Sequence, residues 1–80
     1  MKLKDMNVCI TGTLKKMPRK VAFDRIIKKG GKPQKKISKA TDILVITDEA
    51  LSFPTHKLFM ADEWGTTCID EALFYSLIGA

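Results

Sequence analysis

A run of four aliphatic residues constrains the fold of this 80-residue chain more than any other feature. Residues 43–46 read Ile-Leu-Val-Ile and lie between Asp42 and Thr47. Successive side chains of a strand point to opposite faces, so an unbroken apolar run indicates a strand that is buried on both sides. Such strands are typical of parallel sheets whose two faces are covered by helices. The run therefore predicts an α/β domain with this strand at the centre of its sheet.

Strand-like and helix-like segments alternate along the rest of the chain. We predict further strands over residues 7–11, 32–34 and 66–69, helices over residues 18–29, 56–64 and 71–78, and a loop over residues 48–54. Pro33 assigns the second strand to a sheet edge, because proline lacks the N–H that an interior strand donates. The order β-α-β-β-α-β-α favours one domain, spanning residues 1–80, with a mainly parallel sheet.

Apolar side chains recur at helical spacing in the first and last predicted helices, and we expect them to be buried. In the first helix they are Ala22, Phe23, Ile26 and Ile27. In the last helix they are Ala72, Leu73, Phe74, Leu77 and Ile78. Asp70 is a suitable N-cap for the last helix, and Glu71 follows it at the positive end of the helix dipole.

The residues that could support catalysis or bind a metal form no recognisable arrangement. Cys9 and Cys68 belong to no CxxC motif or Cys/His cluster, so both are predicted to be buried free thiols, and no metal is expected. His56 is the only histidine, and Gly30-Gly31-Lys32 lacks most of a nucleotide-binding loop. We therefore expect neither an enzyme nor a bound cofactor.

The basic charge is concentrated in the first half of the chain. Residues 1–41 carry 13 Lys and Arg against two acids, a net charge of +11, whereas residues 42–80 carry one Lys against seven acids, a net charge of −6. This segregation fits either a polyanion-binding surface or an ordinary solvated lysine surface. No apolar run reaches the length of a membrane span, so we expect no membrane partner and a cytoplasmic, or at least intracellular, location.

An ordered set of short motifs resembles the BRCT domain, and most of all the BRCT domain of NAD-dependent DNA ligases. The likeness covers residues 5–78, and its motifs are specific as a set and weak singly. In order they are Thr11-Gly12-Thr13-Leu14, Met17-x-Arg19, Gly30-Gly31-Lys32, Ser38-Lys39-x-Thr41-Asp42-x-Leu44-Val45 and Lys57-Leu58-x-x-Ala61 up to Gly65. Two positions depart from the pattern, since Phe74 replaces the usual Trp and Trp64 replaces an aliphatic residue.

The resemblance implies a fold and a phosphate site. The fold is a four-stranded parallel sheet of order 2-1-3-4, with the first and last predicted helices on one face and the middle helix on the other. Thr11, Gly12 and Lys57 match the family's phosphate-binding positions. A hydroxyl, a glycine that permits close backbone approach and a lysine charge suit a phosphate. A locally bonded Thr11 and an ordinary surface Lys57 remain the alternatives.

The function expected from these observations is a non-catalytic DNA-binding module of replication or repair, bound at a 5′-phosphorylated end or nick. It would be nucleoid- or nucleus-associated when bound to DNA. Eight basic residues would contact the adjoining DNA backbone without reading sequence. They are Lys15, Lys16, Arg19, Lys20, Lys32, Lys35, Lys36 and Lys39. The alternatives are a module that binds phosphorylated or other repair proteins or dimerises, and a detached domain of an NAD-dependent DNA ligase.

Overall fold

The computed structural model describes residues 1–53 and 55–80. Its elements are β1 (Asn7–Thr11), α1 (Arg19–Lys28), β2 (Lys32–Gln34), β3 (Ile43–Ile46), α2 (Asp48–Ser52), α3 (His56–Trp64), β4 (Thr67–Asp70) and α4 (Glu71–Ile78). The four strands and the three longer helices correspond to the predicted elements. Among the described residues, no helix is both long and apolar enough to cross a bilayer.

All four strands are parallel and lie in the order β2-β1-β3-β4, which confirms the predicted fold class. β1 and β3 occupy the middle, and Thr11 pairs with Ile46 where both strands end. β2 is an edge strand, as Pro33 predicted. Because all strands run in one direction, their carboxyl ends meet along one edge of the sheet, the carboxyl edge. Along the chain, β1 is followed by β2 on one side of it and then by β3 on its other side. The strand order thus reverses at β1, and ligands of such sheets bind at this switch point, outside the carboxyl end of the strand.

Two hydrophobic clusters lie on opposite faces of the sheet. The larger consists of Leu3, Val8, Ile10, Leu14, Ala22, Ile26, Ile43, Val45, Ile69, Phe74, Tyr75 and Ile78. The smaller consists of Cys9, Leu44 and Ala61, with Ile37, Ile46 and Leu58 packed against it. Alternate residues of β1 and β3 thus enter different clusters, as a strand that is buried on both sides requires. α1 and α4 cover one face and α3 the other, in agreement with the predicted arrangement.

The predicted loop over residues 48–54 is wrong in its first part, because residues 48–52 form α2. Thr47 caps this helix, and its side-chain oxygen accepts a hydrogen bond from the Ala50 N–H at 3.3 Å. Asp48 and Glu49 occupy the first turn, where the helix dipole favours negative charge. The cap and the two acids are a recognisable helix start, but five residues give no clear periodicity. Pro54 lies outside the described residues.

The buried face of α4 also differs from the predicted one. The residues that α4 buries are Glu71, Phe74, Tyr75 and Ile78. Their spacing of three and four residues defines one narrow helical face. Ala72 and Leu73, predicted to be buried, are exposed, and so is Ile27 of α1. A prediction from apolar residues alone therefore made both buried faces too wide. It also left out Glu71 and Tyr75, which belong to the buried face of α4.

The two cysteines differ in exposure. Cys9 is a buried free thiol, as predicted, whereas Cys68 is a free but exposed thiol, so the prediction for Cys68 is wrong. β4 is an edge strand, and Ile69 is its one buried residue. Cys68 points to the face opposite Ile69, and at this edge of the sheet that face is open.

Truncation of Phe74 is expected to unfold the domain more readily than truncation of any exposed aromatic residue. Phe74 has no exposed surface, whereas Phe59 is 74% exposed. Phe74→Ala should lower the free energy of unfolding by about 3–5 kcal/mol, because a cavity remains in the core. Phe59→Ala should change it by less than about 0.5 kcal/mol. Urea denaturation of both variants tests this, and equal losses would contradict it.

Candidate functional site

Thr11, Gly12 and Lys57 meet at the carboxyl end of β1. The Lys57 ammonium donates to the carbonyl of Ile10 at 2.9 Å, and this reaches across 47 residues of sequence. Thr11 shares a hydrogen bond of 2.6 Å with Thr55, in which either hydroxyl can donate. Thr55 is the N-cap position of α3. These two bonds fix the start of α3, and with it Lys57, against the end of β1.

Gly12 is required by the backbone and by the space around it. Its φ of 88° lies in the left-handed region that favours glycine. A Cβ at this position would overlap Oγ1 of Thr47 and would lie 3.0 Å from the Cβ of Ala50. The loop after β1 therefore approaches α2 more closely than any side chain allows. Arg19 holds the same residue from the other side, because its guanidinium donates to the Gly12 carbonyl at 2.8 Å.

The three residues do not open into one common pocket. Gly12 lines a surface depression formed by residues 12–19, which also contains Lys15, Lys16 and Arg19. Lys57 lines another, formed by Lys36, Ile37, His56, Lys57, Met60 and Trp64. Thr11 is only 2% exposed. The expected crevice is thus a rim with a basic depression on either side, and the half-buried Trp64 belongs to one of them.

The eight basic residues that were predicted to contact DNA are divided between the two ends of the sheet. Lys15, Lys16, Arg19, Lys20, Lys35 and Lys36 lie near the carboxyl edge, in the loop after β1, at the start of α1 or just after β2. Lys32 pairs with Asn7, the first residue of β1. Asn7 lies about 13 Å from Thr11, because a strand rises about 3.3 Å per residue. Lys39 precedes Ala40, whose carbonyl accepts from the Asn7 side chain. Lys32 and Lys39 therefore lie toward the opposite end of the sheet from Thr11 and Gly12.

Lys15 and Lys16 both have partners at the carboxyl edge. The Lys15 ammonium pairs with Asp48 at 2.7 Å, and the hydrogen bond and charge of Asp48 raise the pKa of Lys15. Their side chains are 69% and 50% exposed, so a competing anion can displace this pair at little cost. The Lys16 ammonium lies 4.9 Å from the centre of the Tyr75 ring, in a cation–π contact.

A buried carboxylate ties the loops of this edge to α4. Glu71 is 2% exposed. It accepts hydrogen bonds from the Lys15 N–H at 2.8 Å, the Asp48 N–H at 3.0 Å and the Tyr75 hydroxyl at 2.5 Å. The Tyr75 hydroxyl in turn accepts from the Lys16 N–H at 3.0 Å. One carboxylate and one phenol thus hold the loops that follow β1 and β3.

Hydrogen bonding keeps Glu71 ionised. Burial by itself would raise the pKa of this carboxyl, but the bonds from Tyr75 and from the backbone of Lys15 and Asp48 outweigh burial and lower it. Burial and the bond to Glu71 raise the pKa of Tyr75. From the sequence, Glu71 was predicted only to lie at the start of the helix, and Tyr75 was assigned no role. The signal that could have identified both residues is the spacing of four between Glu71 and Tyr75, which places them on the same helical face as Phe74 and Ile78.

The fold and the position of the site define a small doubly wound α/β domain with its candidate ligand-binding rim at a strand switch point. The family model of the BRCA1 C Terminus (BRCT) domain matches residues 1–78. The chain belongs to this family, which confirms the resemblance found in its motifs.

Its curated relatives include DNA ligases. The ligases of Renibacterium salmoninarum and Corynebacterium urealyticum are 37% and 38% identical to it over 76 residues. Each alignment covers 95% of this chain and 10% of the ligase, so the chain spans about a tenth of these relatives. The crystal structure of Rad4 BRCT1,2 in complex with a Crb2 phosphopeptide has the same fold. It matches with a TM-score of 0.78 at 17% identity, over 96% of this chain and 40% of that one.

Neutralising Glu71 is expected to destabilise the domain and to flatten its pH dependence. Glu71→Gln leaves only one oxygen to accept hydrogen bonds from the backbone N–H groups that Glu71 binds, so the free energy of unfolding at pH 7 should fall by about 2 kcal/mol. In the wild type the folded-state pKa lies below the usual 4.5. The unfolded chain therefore binds this proton more readily, and stability falls as the pH drops below 4.5 toward the folded pKa.

Urea denaturation between pH 7 and pH 3 measures both effects. Glu71→Gln should lose less stability over this range than the wild type, and the exposed Glu63→Gln should behave as the wild type does. Parallel pH curves for all three proteins would contradict the role of Glu71.

Proposed function

We propose that this chain is a non-catalytic module that binds DNA at a 5′-phosphorylated end or nick. The observation that carries the proposal is the position of Lys57, whose ammonium bonds to the carbonyl of Ile10 near the end of β1, two residues before Gly12. Lys57 is the only basic residue between positions 42 and 80, and it joins the six basic residues of the carboxyl edge. Kinship with DNA ligases supports DNA as the ligand, and a role in binding DNA would imply an intracellular location.

The phosphate would bind across the rim between Gly12 and Lys57. An ammonium group has three donors, and the Ile10 carbonyl takes one of them, so two remain for phosphate oxygens. Gly12 lines the adjoining depression, where its backbone would face the phosphate. Thr11 is nearly buried and would act through its bond to Thr55, which holds the start of α3 and Lys57 against the end of β1.

The adjoining DNA backbone would follow the basic depression of residues 12–19. Lys15, Lys16 and Arg19 line it together with Gly12. Contacts of such side chains to phosphates provide affinity and orientation but no sequence preference. The Lys15 and Asp48 pair is exposed enough to yield to a phosphate. Six of the 13 Lys and Arg in residues 1–41 lie near the carboxyl edge, so this role accounts for part of the net charge of +11.

A phosphorylated protein is the second candidate ligand, and two observations favour it. The related fold of Rad4 BRCT1,2 was crystallised with a Crb2 phosphopeptide. Phe53 is 72% exposed, and it offers an apolar contact near the start of α3. A phosphopeptide explains the basic surface less well than DNA does. If the chain is a domain of a DNA ligase, it would help a larger enzyme to hold DNA, and its ligand would again be DNA.

Removal of the Lys57 charge is expected to abolish the preference for a 5′-phosphate. Wild-type protein should bind a 5′-phosphorylated duplex at least about tenfold more tightly than the unphosphorylated duplex, because charged hydrogen bonds contribute about 1.5–3 kcal/mol. Lys57→Ala should bind both duplexes equally and weakly. Lys28→Ala makes the same charge change at the far end of α1 and should keep the preference. Fluorescence anisotropy at 50 mM and 200 mM salt measures both affinities.

The salt dependence separates the two candidates. Binding through several phosphates weakens steeply as salt is raised. Equal wild-type affinity for both duplexes would exclude phosphate recognition. Absence of DNA binding at low salt, together with binding of a phosphopeptide, would establish the protein ligand instead.

A further inference from the structure

A third depression near the carboxyl edge combines an aromatic ring with three basic side chains. It is lined by Arg19, Lys20, Phe23, Asp24 and Lys35. Phe23 is half-buried, so part of its ring remains at the surface. From the sequence alone, Phe23 was expected in the core and the three cations were expected to contact the DNA backbone. Their meeting in one pocket gives Phe23 a role of its own.

We propose that this pocket binds the unpaired base of the nucleotide that carries the 5′-phosphate. The inference rests on the proposed function, and it defines the substrate as a single-stranded or frayed 5′-phosphorylated end. The base stacks on Phe23 while its phosphate lies at the rim between Gly12 and Lys57.

The pocket is continuous with the phosphate site through Arg19. Arg19 lines both this pocket and the depression that contains Gly12, and its guanidinium donates to the Gly12 carbonyl at 2.8 Å. Four of the five N–H donors of the guanidinium remain for a ligand. A phosphate bound beside Gly12 and a base bound beside Phe23 would therefore contact the same arginine.

The strand order places the two sites at the same part of the carboxyl edge. β2 pairs with β1 so that Gln34 lies opposite Cys9, and neighbouring strands are about 4.8 Å apart. Lys35 follows Gln34 directly and therefore lies beside the end of β1. Its side chain enters the Phe23 pocket, whereas that of Lys36 enters the depression that contains Lys57.

Packing holds the Phe23 ring in place before any ligand arrives. Phe23 lies against the larger hydrophobic cluster, and its helical neighbours Ala22 and Ile26 are fully buried. A ring that is already fixed loses little conformational entropy when a base stacks on it. Aromatic rings stack with any base, so the pocket requires no sequence preference.

The charges around the ring favour a nucleotide over an apolar peptide. Three cations face one acid, Asp24, in the pocket lining. A nucleotide supplies both a flat ring for Phe23 and negative charge for the cations. A base that is paired inside a duplex is stacked on its neighbours, so an unpaired end reaches the ring at the lowest cost.

The test compares two 5′-phosphorylated single-stranded oligonucleotides that differ only in their first nucleotide, which either carries a base or is abasic. Wild-type protein should bind the oligonucleotide with the base about tenfold more tightly, as expected for one base stacked on an aromatic ring. Phe23→Leu keeps an apolar side chain but removes the ring, so it should bind both oligonucleotides equally. Phe23→Tyr keeps the ring and should retain the difference.

Phe59→Leu serves as the matched control, because Phe59 lies on α3 and does not line the pocket. It should retain the tenfold difference. Thermal unfolding of each variant verifies that it is folded. The wild-type protein also provides a readout of its own, since 2-aminopurine at the first position should lose fluorescence on binding when it stacks on the ring.

Equal wild-type affinity for the two oligonucleotides would overturn the inference while leaving the phosphate site intact, provided that removal of the 5′-phosphate still weakens binding. Loss of both the base effect and the phosphate effect would overturn the proposed function as well. An acidic peptide that perturbs the Phe23 resonances when the oligonucleotide does not would assign the pocket to a protein ligand.

Discussion

The parallel pairing of β1 and β3, buried on both faces, is the constraint on which the rest of the structure depends. The side chains of Val8, Cys9, Ile10, Leu44 and Val45 have no exposed surface. Parallel neighbours cannot be joined by a tight turn, so every connection must cross the sheet and cover one face of it. The same geometry collects the carboxyl ends of all four strands, with the loops that follow them, at one edge.

The carboxyl edge gathers like charges, and the fold compensates for this with buried polar groups. Lys15 and Lys16 belong to one loop, which the Glu71 carboxylate and the Tyr75 hydroxyl bind through its backbone N–H groups. Gly12 lies against α2 in a space that admits no side chain. Core residues of α4 therefore define the loop in which the candidate ligand-binding groups lie, and stability and ligand recognition share residues in this domain.

Much of the fold was predictable, because strand and helix patterns are local. The continuous apolar run of β3 predicted a two-faced sheet, and Pro33 predicted the edge position of β2. The errors arose where burial depends on a distant partner. Cys68 is exposed because it lies on an edge strand, at the margin of its face of the sheet, and Leu73 is exposed because the contact face of α4 is narrower than its apolar surface. The helix at residues 48–52 was missed because it is too short to show a period.

The sequence by itself determined the parallel α/β architecture, the family and the segregation of positive charge, because these depend on residue type and order along the chain. Only the tertiary structure decided which charges meet. It placed Lys32 and Lys39 toward the opposite end of the sheet from Gly12, brought Lys57 to the Ile10 carbonyl and placed Glu71 under a loop 56 residues away. Such contacts depend on how the helices cross the sheet and on which side chains find a buried partner, and no local segment of the sequence determines either.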